Sequence, residues 1–129
     1  MKNVLIVDDE KTLQLALACG LTRREPSLNV LTAGNGFEAL ARLKTCPVDM
    51  VVTDLTMPLM NGYELIRQMR ELYPEIPVLP MTAAPRELVA EPLAALGITS
   101  HIEKTTDFDR LFTCILDVLL PERACSAAA

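Results

Sequence analysis

Five polar residues of this chain directly follow apolar runs, at positions where buried strands would end. Asp8 and Asp9 follow the first run, Asp54 the third, Thr82 the fourth and Lys104 the fifth. Because the carboxyl ends of parallel strands meet at one edge of a sheet, we expect three carboxylates, a hydroxyl and an ammonium to converge there. Taken singly, each has an ordinary explanation such as helix capping or a solvated surface lysine, so only the joint arrangement indicates a site.

This set of side chains favours phosphoryl chemistry. Three carboxylates held close together repel one another by roughly 4 kcal/mol per pair at about 4 Å and an effective dielectric constant near 20. The cluster therefore needs a cation, and a few oxygen ligands completed by water favour Mg²⁺ over zinc or copper. Lys104 and Thr82 are suited to hold the phosphoryl oxygens that the metal does not bind. The predicted reaction is phosphoryl transfer to a carboxylate, with Asp54 as the nucleophile.

The elements that must position these residues are short apolar runs alternating with longer amphipathic ones. Four of the runs are rich in Val, Ile and Leu, as expected for strands covered on both faces, and the more polar fifth suits a sheet edge. This alternation predicts an open parallel α/β sheet with helices on both faces. The predicted strands are Asn3–Val7, Asn29–Ala33, Met50–Thr53, Pro77–Thr82 and Thr99–Glu103.

Helix starts can also be predicted. The second and third helices are expected to begin at the pairs Asn35-Gly36 and Asn61-Gly62, because Asn is a favourable N-cap. The last helix is expected after Asp107, where apolar residues form one stripe over residues 108–119.

The bulk properties limit the functions available. The chain has 129 residues, half of them apolar, which predicts one domain over residues 1–121 and a short disordered tail or linker over residues 122–129. A net charge of −5, with no basic cluster longer than Arg23-Arg24, argues against direct nucleic-acid binding. No apolar run approaches the ~20 residues of a membrane span, so we expect a cytoplasmic protein. The four cysteines form no CxxC pair, and apolar surroundings predict that most are small buried hydrophobes.

Three motifs and one lysine together resemble the receiver domain of two-component response regulators. They are VLIVDDE (Val4–Glu10), VVTDLTMPLMNG (Val51–Gly62), PVLPMTA (Pro77–Ala83) and the strand-end Lys104. The resemblance covers about residues 2–120, and the combination is highly specific. It implies a single-domain, flavodoxin-like (βα)5 fold, in which a doubly wound, five-stranded parallel sheet has the strand order 2-1-3-4-5.

The resemblance also implies a role for the acidic residues. Asp9 and Asp54 would bind Mg²⁺ directly, Asp8 would do so mainly through water, and the backbone carbonyl of Thr56 would supply a further ligand. Asp54 would accept the phosphoryl group from a phosphohistidine on a sensor histidine kinase or a histidine phosphotransfer protein. The domain would therefore be a signalling module and not an enzyme, assisting only its own phosphorylation and slow dephosphorylation.

A switch is implied as well. Thr82 and Lys104 would contact the phosphoryl group, and His101 would follow Thr82 inward. This movement would change the surface of the fourth helix, fifth strand and fifth helix, to which an output domain or protein binds. The sequence does not identify the kinase or the output partner, and it leaves open whether phosphorylation drives dimerisation.

The chain departs from the family pattern at four positions. His101 stands where Tyr or Phe is usual, and a polar residue on a half-exposed edge strand would explain it equally. Thr105 replaces the proline that commonly follows the lysine, so no cis peptide is expected there. Pro80 should remove a hydrogen bond from the fourth strand or force a bulge, and Pro92 should kink or shorten the fourth helix.

Three other interpretations remain. A degenerate receiver could act as a phosphorylation-independent interaction module; the complete acidic set opposes this, whereas the prolines and His101 leave room for it. A haloacid-dehalogenase-type phosphatase needs a second acid two residues after its nucleophile, where this chain has Thr56. A flavin-binding module of the same topology needs a Ser/Thr-rich loop where this chain has Asp8-Asp9.

Overall fold

The computed structural model describes residues 2–57, 59–105 and 107–120, in which five strands and five helices alternate. The predicted tail, residues 122–129, lies outside the described residues. In chain order the elements are β1 (Asn3–Val7), α1 (Lys11–Arg24), β2 (Asn29–Ala33), α2 (Gly36–Thr45), β3 (Met50–Asp54), α3 (Gly62–Leu72), β4 (Val78–Thr82), α4 (Arg86–Ala95), β5 (Ile102–Glu103) and α5 (Phe108–Leu119).

The sheet is parallel throughout, with the order β2-β1-β3-β4-β5, so the predicted flavodoxin-like topology is confirmed. The strand order reverses between β1 and β3, because β2 lies on one side of β1 and the later strands lie on the other. Ligands of such sheets bind beyond the carboxyl ends of the strands at this reversal. Asp8 follows β1 and Asp54 ends β3 at this point.

Helices cover both faces of the sheet. Successive residues of a strand point to opposite faces, so Ile6 of β1 packs in one core with Leu17 of α1 and Ile115 of α5, whereas Leu5 packs in the other with Leu65 of α3. All five of these side chains are fully buried. The polar residues at the strand ends are therefore mounted on strands that are packed tightly from both sides.

The predicted helix starts are confirmed. At each one a side-chain oxygen accepts a hydrogen bond from the backbone N–H three residues later, which stabilises a helix by about 1 kcal/mol. The capping residues are Asn35, Asn61 and Asp107.

Pro80 lies inside β4 without the predicted bulge. Strand β4 pairs with β3 in continuous register, with Thr53 opposite Pro80. The carbonyl of Thr82 accepts a hydrogen bond from Lys104 on the β5 side. Because backbone groups of alternate residues point to the same side, the missing N–H of Pro80 also faces β5.

The proline also accounts for the short fifth strand. Strand β5 pairs with β4 only from Met81 onward, opposite Ile102, so the missing donor at Pro80 faces the stretch just before pairing begins. The prediction of a strand over Thr99–Glu103 was therefore too long by three residues. The ladder hydrogen bond is lost at the edge of the sheet, where the loss costs least.

Pro92 does not end α4, which continues to Ala95. Its ring removes the N–H that would donate to the carbonyl of Leu88, one turn earlier. Leu88 is 67% exposed, so water can bind that carbonyl. The proline thus does not interrupt the fourth helix, and the hydrogen bond that it removes lies at an exposed residue.

The prediction that most of the cysteines are buried was wrong for the three that lie among the described residues. Cys19 is exposed, because it lies two residues from both Leu17 and Leu21 and so points away from the sheet. Cys46 and Cys114 are half-buried, and all three are free thiols. Among the described residues, no helix combines the length and the apolar character that crossing a bilayer requires.

Candidate functional site

Three carboxylates meet at the carboxyl edge of the sheet, between β1 and β3. Val7 and Thr53 are paired in register, which brings Asp8 alongside Asp54. Carboxylate oxygens of Asp8, Asp9 and Asp54 lie within 4.8 Å of one another. Asp8 is fully buried and Asp54 is 6% exposed, whereas Asp9 is open to solvent. The predicted convergence of these residues is thus observed, with one carboxylate facing outward.

Lys104 supplies the positive charge of this cluster. Its Nζ lies 3.0 Å from Asp54 Oδ2, 3.1 Å from Asp8 Oδ2 and 3.0 Å from Glu10 Oε1. Burial alone would lower the pKa of Lys104, but the carboxylates of Glu10, Asp54 and Asp8 outweigh it and raise the pKa well above 10.5. The ammonium therefore stays protonated throughout the neutral pH range.

The environment of Asp8 fits a metal ion. Its Oδ1 accepts a hydrogen bond from the backbone N–H of Glu10, at 2.8 Å. Its Oδ2 is buried and accepts no hydrogen bond from the described residues, although the charge of Lys104 is near. Burial raises the pKa of Asp8 above 3.8, and the Glu10 hydrogen bond and Lys104 offset this only in part. A hard cation would satisfy this oxygen, and carboxylate oxygens completed by water are ligands that suit Mg²⁺.

Asp54 is held from two directions. Its Oδ1 accepts a hydrogen bond from the backbone N–H of Thr56, at 3.2 Å, and its Oδ2 accepts one from Lys104. Thr56 thus contacts the site through its N–H, while its side chain is exposed. The role predicted for the Thr56 carbonyl as a metal ligand stays a prediction.

Thr82 is buried in the wall of a pocket that Asp9 and Asp54 also line. Its hydroxyl oxygen accepts a hydrogen bond from the N–H of Ala84, at 3.0 Å, which leaves the hydroxyl hydrogen available to donate. The pocket has a volume of about 400 Å³ and is lined by Asp9, Glu10, Asp54, Thr56, Thr82, Ala83, Ala84 and Lys104.

His101 does not line this pocket. It precedes β5, so the prediction that placed it in the fifth strand was wrong, for the reason given for Pro80. Half-buried, it lines a neighbouring cavity of about 740 Å³ between the start of α4 and the start of α5. Ala83 and Ala84 line both cavities, so the loop after Thr82 separates His101 from the acidic cluster.

Two residues of the site were missed by sequence reasoning. Glu10 was treated only as part of a motif, yet its carboxylate binds Lys104. The amide of Gln14 donates to the backbone carbonyls of Asp8 and Ala33, and so clamps the end of β1 to the end of β2. Gln14 lies three residues before Leu17, on the sheet-facing side of α1, and a polar residue on that side was the available signal.

The sequence of this chain matches a known protein family. The profile described as "Response regulator receiver domain" matches residues 4–121. Transcriptional regulatory protein GlrR of Escherichia coli is 33% identical over 117 residues, which cover 91% of this chain but 26% of that protein. This chain therefore spans about a quarter of the length of that relative.

Two solved structures give the same result for the fold. Chemotaxis protein CheY4 of Vibrio cholerae is 28% identical with a TM-score of 0.81, covering 92% of this chain and 98% of that chain. Response regulator TrrA of Thermotoga maritima, solved in complex with Mg(2+)-BeF, is 28% identical with a TM-score of 0.78. The match covers 93% of this chain and all of that chain.

Proposed function

We propose that this chain, which belongs to the family of response regulator receiver domains, accepts a phosphoryl group on Asp54 from a phosphohistidine of a partner protein. The observation that carries the proposal is the position of Asp54. Its carboxylate is nearly buried and 3.0 Å from Lys104, in a pocket that also holds Asp9 and Thr82. This pocket contains an acceptor, a place for a cation and donors for phosphoryl oxygens.

In the proposed reaction a carboxylate oxygen of Asp54 attacks the phosphorus in line with the P–N bond of the phosphohistidine. An O–P bond forms as the P–N bond breaks, and the imidazole leaves with the bonding electron pair and takes up a proton. Lys104 offsets the negative charge on the phosphoryl oxygens, and the Thr82 hydroxyl donates to one of them. Positioning and electrostatics therefore provide the catalysis, so the domain acts as a signalling module and not as an enzyme with turnover.

Mg²⁺ is the proposed cofactor. Asp8, Asp9 and Asp54 would hold it together with the carbonyl of Thr56, and it would neutralise both these carboxylates and the incoming phosphoryl oxygens. The buried Oδ2 of Asp8, which accepts no hydrogen bond from the described residues, supports this assignment. The description of the similar TrrA domain in complex with Mg(2+)-BeF supports it as well.

The proposed switch begins at Thr82. Its hydroxyl now accepts the Ala84 N–H, so a move toward the phosphoryl group would pull on the loop that separates the two cavities. His101 lines the second cavity and would follow that loop, which would change the surface formed by α4, β5 and α5. An output domain or protein that reads this surface is the proposed downstream partner.

The remaining parts of the proposal concern context. The donor would be a sensor histidine kinase or a histidine phosphotransfer protein, and the receiver domain would extend over residues 1–121. The three described cysteines are free thiols, which suits the reducing cytoplasm. The net charge of −5 supports an output that does not involve direct nucleic-acid binding by this domain.

A phosphodonor assay tests the proposal. The protein is incubated with acetyl phosphate and Mg²⁺ and followed by intact mass spectrometry. We expect one phosphoryl adduct that is stable to acid, labile to base and dependent on Mg²⁺. The adduct should be lost in Asp54→Ala and kept in Asp109→Asn, a control at an exposed position of α5. An adduct that survives Asp54→Ala, or no adduct on the wild type, would disprove the proposed function.

A further inference from the structure

We propose that Glu10 competes with the phosphoryl group for Lys104 and thereby restrains phosphorylation of this domain. This inference rests on the proposed function of Asp54. It concerns a residue that lies 3.0 Å from the lysine and lines the pocket, but that carries no role in the chemistry described above.

The ammonium of Lys104 is already engaged. Its Nζ donates hydrogen bonds to Glu10 Oε1 and Asp54 Oδ2, both at 3.0 Å, and lies 3.1 Å from Asp8 Oδ2 in an ion pair. A phosphoryl oxygen that binds Lys104 must therefore compete with these carboxylates for the ammonium. The arrangement of the site decides which of them gives way.

Glu10 is the partner that can leave. Asp54 becomes the phosphorylated residue, and Asp8 is fully buried with its Oδ1 tied to the Glu10 backbone N–H. The side chain of Glu10 is 63% exposed and needs only a rotation about its own bonds to enter water. Exposed ion pairs are weak, so a doubly charged phosphoryl group should displace it.

The backbone and side chain of Glu10 have separate roles, which makes the inference testable. Its N–H supports Asp8, and side-chain substitution retains that hydrogen bond. Glu10→Gln removes the charge, whereas Glu10→Asp keeps a charge but is one methylene too short to retain the same contact with Nζ. If Glu10 competes for Lys104, both variants should be phosphorylated faster than the wild type. If Glu10 acts only through its negative charge, Glu10→Gln alone should be faster.

The experiment measures the rate of adduct formation against acetyl phosphate concentration at saturating Mg²⁺. In this reaction the P–O bond to acetate breaks, the O–P bond to Asp54 forms, and acetate leaves as an anion. We expect the initial slope to rise roughly 2-fold to 5-fold in both Glu10→Gln and Glu10→Asp, the range that one exposed ion pair allows. Glu71→Gln, on the exposed side of α3, is the matched control and should equal the wild type.

Unchanged or slower rates in both variants would overturn the inference, and so would acceleration in Glu10→Gln alone, which would indicate a field effect without competition. Structural damage slows adduct formation, so acceleration cannot come from a loss of stability. If the wild type forms no adduct, the proposed function itself fails, and that result is distinct from equal rates in all variants.

Discussion

Gly62, the first residue of α3, packs directly against the backbone of Asp54. A Cβ atom added at Gly62 would lie 2.4 Å from the carbonyl oxygen of Asp54 and 2.7 Å from the Cα of Leu55. The N–H of Gly62 also donates to the Leu55 carbonyl, at 3.1 Å. The third helix therefore begins against the end of β3, and this contact fixes the backbone that carries the acceptor.

Gly62→Ala should destabilise the protein by about 1–3 kcal/mol and slow phosphorylation, because the backbone of Asp54 must shift to admit the methyl group. Gly34→Ala is the control. A Cβ there would meet only the carboxylate at the far end of the Glu38 side chain, which can move aside. Urea denaturation and adduct formation should both distinguish the two variants. Equal effects at the two glycines would contradict the importance of this contact.

Asp8→Asn should stabilise the metal-free protein at neutral pH, on the order of 1 kcal/mol, while weakening Mg²⁺ binding. Burial raises the pKa of Asp8, so the folded state binds this proton more tightly than the unfolded state. This group therefore stabilises the fold less and less as the pH rises from the ordinary value of 3.8 through the raised pKa, and the loss persists above it. Asparagine removes the charge at similar volume.

Denaturation of both proteins from acid to neutral pH, with and without Mg²⁺, checks this sign. The advantage of Asp8→Asn should grow as the pH rises, and saturating Mg²⁺ should reverse it, because the wild type gains binding free energy that the variant lacks. If metal-free Asp8→Asn is less stable than the metal-free wild type at neutral pH, the burial of the charged Asp8 carboxylate does not destabilise the fold, and this prediction is wrong.

Gln14→Ala should weaken Mg²⁺ binding roughly 10-fold. This is the lower end of the loss in affinity found when a residue that orients metal ligands, without binding the metal itself, is substituted. The amide holds the carbonyls of Asp8 and Ala33 together, and its loss frees the segment that presents Asp8 and Asp9. Titration calorimetry with Mg²⁺ measures the effect, with Gln68→Ala on α3 as the control. Unchanged Mg²⁺ affinity in Gln14→Ala would show that the hydrogen bonds of the Gln14 amide do not position Asp8 and Asp9.

Pro80→Val should change the free energy of unfolding by less than about 1 kcal/mol, because the N–H that valine restores faces the stretch before β5 begins. Leu79→Pro, one residue earlier, removes a donor on the β3 side and should cost about 3 kcal/mol or more. The comparison needs only urea denaturation of the two variants. A large decrease in the free energy of unfolding of Pro80→Val would contradict the inference that the missing N–H of Pro80 faces β5.

The order of elements and the convergence of the strand-end residues were predictable from sequence, because each depends on local patterns and on the geometry of parallel sheets, whereas the strand order came from the resemblance to receiver domains. Asp8, Asp54, Thr82 and Lys104 terminate apolar runs, so their placement follows from the strands. The length of β5 was less predictable. The effect of Pro80 on strand pairing depends on which neighbouring strand its missing N–H faces. That orientation is set by the pairing of the strands in the folded sheet, and the sequence of β4 alone does not reveal it.

The contacts of Glu10 and Gln14 could not be predicted for a related reason. Each is one of many polar residues near a strand end, and its partner is a lysine or a carbonyl distant in sequence. The same holds for His101, which the loop after Thr82 separates from the acidic cluster.

The most direct test of the central claim identifies the phosphorylated residue chemically. The protein is phosphorylated with acetyl phosphate and Mg²⁺, reduced with borohydride and analysed by peptide mass spectrometry, because borohydride converts an aspartyl phosphate into homoserine. We expect homoserine at position 54 alone, in proportion to the adduct measured on the intact protein. Homoserine at position 8 or 9, or an adduct that leaves Asp54 unreduced, would contradict the assignment of Asp54 as the phosphoryl acceptor.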